Sequence, residues 1–248
     1  MESGMLTEME REIASRIHIM PLGFEEERVY ESAERLKADK VILLTHEGDE
    51  EETEYLKVVR AELDKRGIEI ELTHCDLFDL YNSLGKFADK IREYENEDVY
   101  VNLSTGSKVT AIAGMIACMV FEATPYYVRA GKYEDAPSEI KDIVELPKYD
   151  IKAPDDQLIK LMILIQRHSD KGEVVTKGDL IDAGEEMELP FITEHDVKDK
   201  GQYRILDREI VNPLKEAGYI KLSKEGRSKR VELTDDGREA VNAFRSFV

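Results

Sequence analysis

The strongest chemical signal in the chain is Asn102-Leu103-Ser104-Thr105-Gly106-Ser107-Lys108, which runs straight into an apolar stretch from Val109 to Phe121. Hydroxyl and glycine positions let the backbone turn tightly and present N–H and O–H donors. The amino end of the helix that follows adds a partial positive charge, and Lys108 adds a full one. The combination favours an anion. A plainer role is open to the same residues, because Ser104 or Thr105 would also serve as a helix cap. The spacing excludes a P-loop: GxxxxGK[ST] places lysine directly after the second glycine, and here Ser107 stands in that place. After the first apolar strand comes Pro21-Leu22-Gly23-Phe24 rather than GxGxxG, which argues against a nicotinamide or flavin dinucleotide. Phe24 has two readings, a ring that stacks on a nucleobase or a staple packing under the next helix.

No other constellation points to catalysis. His18, His46, His74, His168 and His195 are dispersed, and the two cysteines, Cys75 and Cys118, form no CxxC knuckle and no disulfide framework. Neither a cofactor nor a metal is expected.

The elements that must hold the turn are legible in the apolar pattern. Ile17 to Met20, Val41 to Leu44, Ile68 to Leu72, Val99 to Val101, Tyr126 to Val128 and Ile143-Val144 are short apolar runs of the kind found in strands covered on both faces. Between them, residues 50 to 66 and 77 to 94 repeat apolar side chains at helix spacing, the first stopping at Gly67. Strand alternating with helix predicts an α/β fold with a doubly wound, mostly parallel sheet, whose ligands bind beyond the carboxyl ends of the strands. The loops after the first and fourth strands are therefore the place for function.

The rest of the chain has a different rhythm. Leu158, Leu161, Met162 and Ile165 mark one helix, a cap at Thr176 with Asp179 starts a second, and Tyr203, Leu206 and Ile210 mark a third that Pro213 breaks or restarts. Tyr219 to Leu222 and Lys229 to Leu233 alternate around a basic tip as a hairpin, and Thr234 caps a last helix. This order predicts an α+β winged helix-turn-helix, with the third helix in the major groove and the wing on phosphates. The charge agrees. Overall the chain carries 54 acidic and 35 basic residues, a net charge of −19, yet its basic side chains concentrate in residues 200 to 230. Gln202, Arg204 and Arg208 are the expected groove contacts, and Lys224, Arg227, Lys229 and Arg230 the expected phosphate contacts.

A boundary falls at the extended segment between Pro147 and Pro154, giving expected domains 1–149 and 150–248. With 42% hydrophobic residues there is apolar material for two modest cores. The longest apolar run is shorter than the ~20 residues a bilayer needs, and the acidic amino terminus lacks a signal peptide's apolar region. A cytoplasmic protein without a membrane span is expected. One short wing makes few phosphate contacts, so a homodimer on a two-fold site is expected as well. Its candidate faces are the apolar sides of the sheet-flanking helices and the last helix near Val241, Phe244 and Phe247.

The Pro21-Leu22-Gly23-Phe24 loop, the Leu103 to Lys108 turn before an apolar helix and the attached winged helix together resemble the archaeal CARF-domain transcription regulators. CARF stands for the CRISPR-associated Rossmann fold. The resemblance implies a dimeric domain that binds a cyclic oligoadenylate across its two-fold axis. It also implies ligand contacts from Ser104, Thr105, Gly106, Ser107 and Lys108, with Leu22, Gly23 and Phe24 in the same cleft. Members of the same family that act as ring nucleases imply an alternative, cleavage of the ligand by its own ribose 2′-hydroxyl with Ser107 and Lys108 assisting.

Overall fold

In the computed structural model the described residues are 14–46, 53–130, 140–149, 151, 154–195, 200–225 and 228–248. The chain divides into two compact units, Met1–Asp150 and Ile151–Val248.

The first unit alternates as its apolar runs require: β1 (Arg16–Pro21), α1 (Glu26–Arg35), β2 (Lys40–His46), α2 (Glu54–Lys65), β3 (Glu69–Cys75), α3 (Leu80–Glu93), β4 (Asp98–Asn102), α4 (Lys108–Phe121), β5 (Thr124–Ala130) and β6 (Ile140–Glu145). The sheet order is β3-β2-β1-β4-β5-β6. Strands β1 to β5 run parallel, and β6 returns antiparallel beside β5. Ile19, Met20, Val41 to Leu44 and Val101 are fully covered, as strands with helices on both faces must be. Because successive crossovers leave β1 toward β2 on one side and toward β4 on the other, the chain reverses its winding between β1 and β4. The crevice that this opens lies at the carboxyl ends of those two strands.

The second unit contains α5 (Asp156–Asp170), β7 (Val175–Thr176), α6 (Lys177–Glu186), α7 (Pro190–Thr193), α8 (Lys200–Leu206), α9 (Asn212–Glu216), β8 (Ile220–Glu225), β9 (Ser228–Leu233) and α10 (Asp235–Phe244). A small sheet, β7-β9-β8, forms the wing and its base. Thr176 and Asp179 make a reciprocal capping box at the start of α6. Pro213 does not break the third helix. One π-helical stretch, Asp207–Val211, carries α8 into α9, because widening the ladder just before the proline absorbs its missing N–H. Val241 and Phe247 are buried in this unit and so do not offer the dimer contact expected of them, and Phe244 packs edge-on against Phe247. Among the described residues no helix is long and apolar enough to cross a membrane.

Candidate functional site

Parallel pairing brings the end of β1 beside the end of β4, with Ile19 opposite Val101, so the loops that follow the two strands must meet. They meet through glycine. A Cβ on Gly23 would lie 2.9 Å from the Gly106 nitrogen, and a Cβ on Gly106 would lie 2.5 Å from the Cβ of Pro21. Gly106 also has a φ of +75°, a conformation that costs an L-residue about 1–2 kcal/mol. Both positions need glycine to let the loops touch.

The turn is held from beneath by a buried polar chain. Asn102, fully buried, accepts from the Ser104 backbone N–H at 2.9 Å and from the Ser104 hydroxyl at 2.5 Å, and its amide donates to the Arg28 carbonyl at 3.1 Å. Arg28 Nη1 donates back to the Ser104 carbonyl at 3.0 Å. Behind Asn102 lie Ser32, Tyr126 and His18, with Tyr126 Oη 3.4 Å from Ser32 Oγ and 3.1 Å from His18 Nδ1. His18 stacks on Tyr100 with centroids 4.8 Å apart. Burial, reinforced by Arg16, depresses its pKa to about 3, so the ring is neutral at physiological pH. Burial also raises the pKa of Tyr126. These are positioning groups for the turn.

The α4 cap is Ser107, not Ser104 or Thr105. Its Oγ accepts the Thr110 N–H at 3.1 Å while donating to the Leu77 carbonyl at 2.6 Å. Ser104 is unavailable for capping because Asn102 already holds its hydroxyl.

A cavity of about 330 Å³ opens on this junction, lined by Leu22, Gly23, Phe24 and Glu25, by Gly106 and Ser107, and by His46, Tyr55, Leu77 and Phe78. Five of the expected ligand contacts, Leu22, Gly23, Phe24, Gly106 and Ser107, therefore share one cleft. Thr105 is only 2% exposed and does not reach it, because its side chain is turned into the domain. Ser104 lies behind the turn, and Lys108 stands exposed at the first position of α4. The wall formed by His46, Tyr55 and Phe78 comes from β2, α2 and the loop before α3, which the local pattern did not single out. Phe24 does not act as a staple, since it remains exposed and contacts Tyr55 edge-on. Among the described residues no cluster of three metal-ligating side chains occurs.

In the second unit, Arg204, Arg208, Lys224 and Lys229 are exposed. Lys224 and Lys229 stand directly opposite each other on β8 and β9. Three expected contacts are engaged within the unit: Gln202 donates to Glu185 at 2.7 Å, Arg208 donates to Glu209 at 2.5 Å, and Arg230 pairs with Glu232 at 3.0 Å. Glu209 also meets His195 Nε2 at 2.9 Å, and although burial alone would raise its pKa, Arg208 and His195 hold it below the usual carboxylate range. Arg227 lies outside the described residues.

Comparisons with known proteins divide the chain in the same way. Residues 16–133 match the family described as HFX_2341_N-like, N-terminal, and residues 156–245 match the DUF6293 C-terminal winged helix domain. The uncharacterized protein MJ1513 of Methanocaldococcus jannaschii is 29% identical over 158 residues, 59% of this chain and 47% of that protein. The chain thus spans about half the length of this curated relative. Among solved structures, Can2 from Sulfobacillus thermosulfidooxidans in complex with cyclic tetra-adenylate aligns at 13% identity with a TM-score of 0.43, over 94% of this chain and 64% of that one. Csm6 from Enterococcus italicus, bound to a cyclic hexanucleotide analogue, aligns at 9% identity and 0.41, over 84% and 57%. The first unit is thus similar to the HFX_2341_N-like N-terminal family and the second to the DUF6293 C-terminal winged helix domain.

Proposed function

We propose that this protein is a ligand-responsive DNA-binding regulator whose N-terminal domain, as a homodimer, senses a cyclic oligoadenylate or a related nucleotide. The observation that carries the reading is the glycine junction, where two loop backbones and the amino end of α4 converge on one cleft with Lys108 at the helix start. That arrangement suits an anion held by backbone N–H groups and a partial positive charge. Dimerisation is supported by α4, on which Ile112 is 55% exposed and Met115, Ile116 and Met119 continue the same apolar stripe at i+3, i+4 and i+7. DNA binding is supported by the wing, because two lysines directly opposite each other repel until an anion such as a phosphate lies between them.

The ring-nuclease alternative loses support at Ser107, whose hydroxyl is already used as both donor and acceptor. The deciding experiment incubates the protein with cyclic tri-, tetra- and hexa-adenylate, measures affinity for a genomic promoter-fragment library with and without each ligand, and chromatographs the ligand afterwards. A ligand-dependent change in DNA affinity with intact ligand is the expected result. Linear product would establish the nuclease, and no binding to any of the three would overturn the sensor.

A further inference from the structure

Resting on the nucleotide reading of the cleft, we propose that it holds a purine base by stacking on Phe24 and Phe78, two rings that line the same cavity as the glycine junction. Phe24 is 88% exposed and Phe78 68%, although each belongs to a loop that is otherwise tightly tied. Exposed aromatic rings on fixed backbone in a concave site are unexplained by folding, since neither ring fills the core.

Their anchorage is specific. Phe24 follows Gly23, whose backbone lies against Gly106. The Phe78 N–H donates to Asp76 Oδ1 at 2.9 Å, and the preceding carbonyl, that of Leu77, accepts from Ser107. Both aromatic loops are therefore fastened to the same Gly106-Ser107 turn, one by contact and the other by a hydrogen bond. Each ring is also steadied by an edge-to-face neighbour, Tyr55 at 5.7 Å and 68° for Phe24, His46 at 5.6 Å and 62° for Phe78. Such packing sets the tilt of a ring while leaving a face open for a flat heterocycle. The cavity of about 330 Å³ falls in the range of small-molecule sites, about 300–1,000 Å³. The division of labour follows: the turn takes the charged part of the ligand, and the rings take the base, a contact every purine offers through its π-face.

The test uses full-length protein and two probes, cyclic tetra-adenylate by calorimetry and 2-aminopurine riboside monophosphate by fluorescence quenching. The expected result is tight binding by the wild type, a loss of at least about tenfold for Phe24→Ala and Phe78→Ala, and recovery with Phe→Tyr at each position. Phe24→Leu keeps apolar bulk without a π-face and should behave like the alanine variant. Since both rings are exposed, melting temperature should not change. Wild-type binding that the substitutions alter less than twofold, without quenching, overturns the stacking site and leaves the sensor intact. Ring-dependent quenching of the monophosphate with no binding of cyclic tetra-adenylate upholds the stacking site and removes that ring as the sensed ligand. Failure of both probes with the wild type removes both.

Discussion

The Ser107 hydroxyl donates to the carbonyl of Leu77, thirty positions earlier, at 2.6 Å, while it accepts the Thr110 N–H at 3.1 Å. A single oxygen thus caps α4 and pins the loop before α3 to it. Substituting Ser107→Ala removes a cap and a hydrogen bond to a buried-side carbonyl, and should cost about 1–2 kcal/mol of stability. Urea denaturation will measure it, and ligand affinity should fall with it because the wall carrying Phe78 is released. Ser107→Thr, which retains the hydroxyl, should recover most of both.

Gly106→Ala tests the junction directly. The new Cβ would meet Pro21 at 2.5 Å and Thr110 Oγ1 at 2.8 Å in a backbone at φ +75°. A loss of about 2 kcal/mol or more is expected, from the disfavoured conformation and the forced shift of the Pro21 loop. Nucleotide binding should be lost more completely than stability, as read by calorimetry on the folded variant.

At α4, Lys108 is exposed, so its attraction to an anion is partly screened by water and salt. Lys108→Ala should weaken nucleotide binding by about 1 kcal/mol, roughly fivefold, with the difference shrinking as salt rises. On the next turn, if α4 forms the proposed dimer face, Ile112→Asp should give a monomer in sedimentation while the far-UV spectrum of the fold is kept, because Ile112 is 55% exposed and makes little use of the domain's own core.

His18 predicts an acid-labile core. Its folded pKa, about 3, lies below the ordinary 6.5, so below pH 6.5 the unfolded chain binds a proton that the folded chain refuses. This contribution to stability is complete above pH 6.5. It falls as the pH drops toward 3, at a limiting slope of about 1.4 kcal/mol per pH unit. His18→Phe should remove one proton from the stability-against-pH slope between pH 6 and 4, measured by urea titration at each pH.

In the winged helix, Glu209 holds Arg208 at 2.5 Å. Glu209→Gln should free the guanidinium and remove a charge that repels phosphate, raising DNA affinity about threefold to tenfold. Arg208→Ala should lower it and relax sequence preference, whereas Lys224→Glu with Lys229→Glu should weaken all sequences alike and flatten the salt dependence. Fluorescence anisotropy over a salt series distinguishes the three.

The sheet was legible because strands covered on both faces cannot alternate: Val41 to Leu44 and Ile17 to Met20 announce themselves as apolar blocks. The turn before α4 was legible because its residues are contiguous. What escaped was everything that parallel crossovers import from a distance. His46, Tyr55 and Phe78 belong to three different elements, and only the strand order brings them to one wall. Arg28 is similar, since nothing near it in the chain reveals that its guanidinium meets Ser104 across 76 positions. The capping residue was misread because a side-chain competitor, Asn102, takes the hydroxyl of Ser104, leaving Ser107 to cap. At Pro213 the restart of the helix was legible, since α9 begins with the proline in its first turn, but the π-helical stretch that joins it to α8 without a break was not.

The place of β1 at the centre of the sheet sets an order of events during synthesis. Its first neighbour, β2, emerges soon after it, but its other edge must wait for β4, with Ile17 finally pairing Val99. Until then this buried central strand keeps one row of backbone donors and acceptors unpaired, an invitation to pair with other nascent chains. The cleft is closed by the same late step, because Gly106 arrives only after β4. A ribosome-bound chain ending before the 102–108 turn should therefore carry only the first-strand half of the cleft.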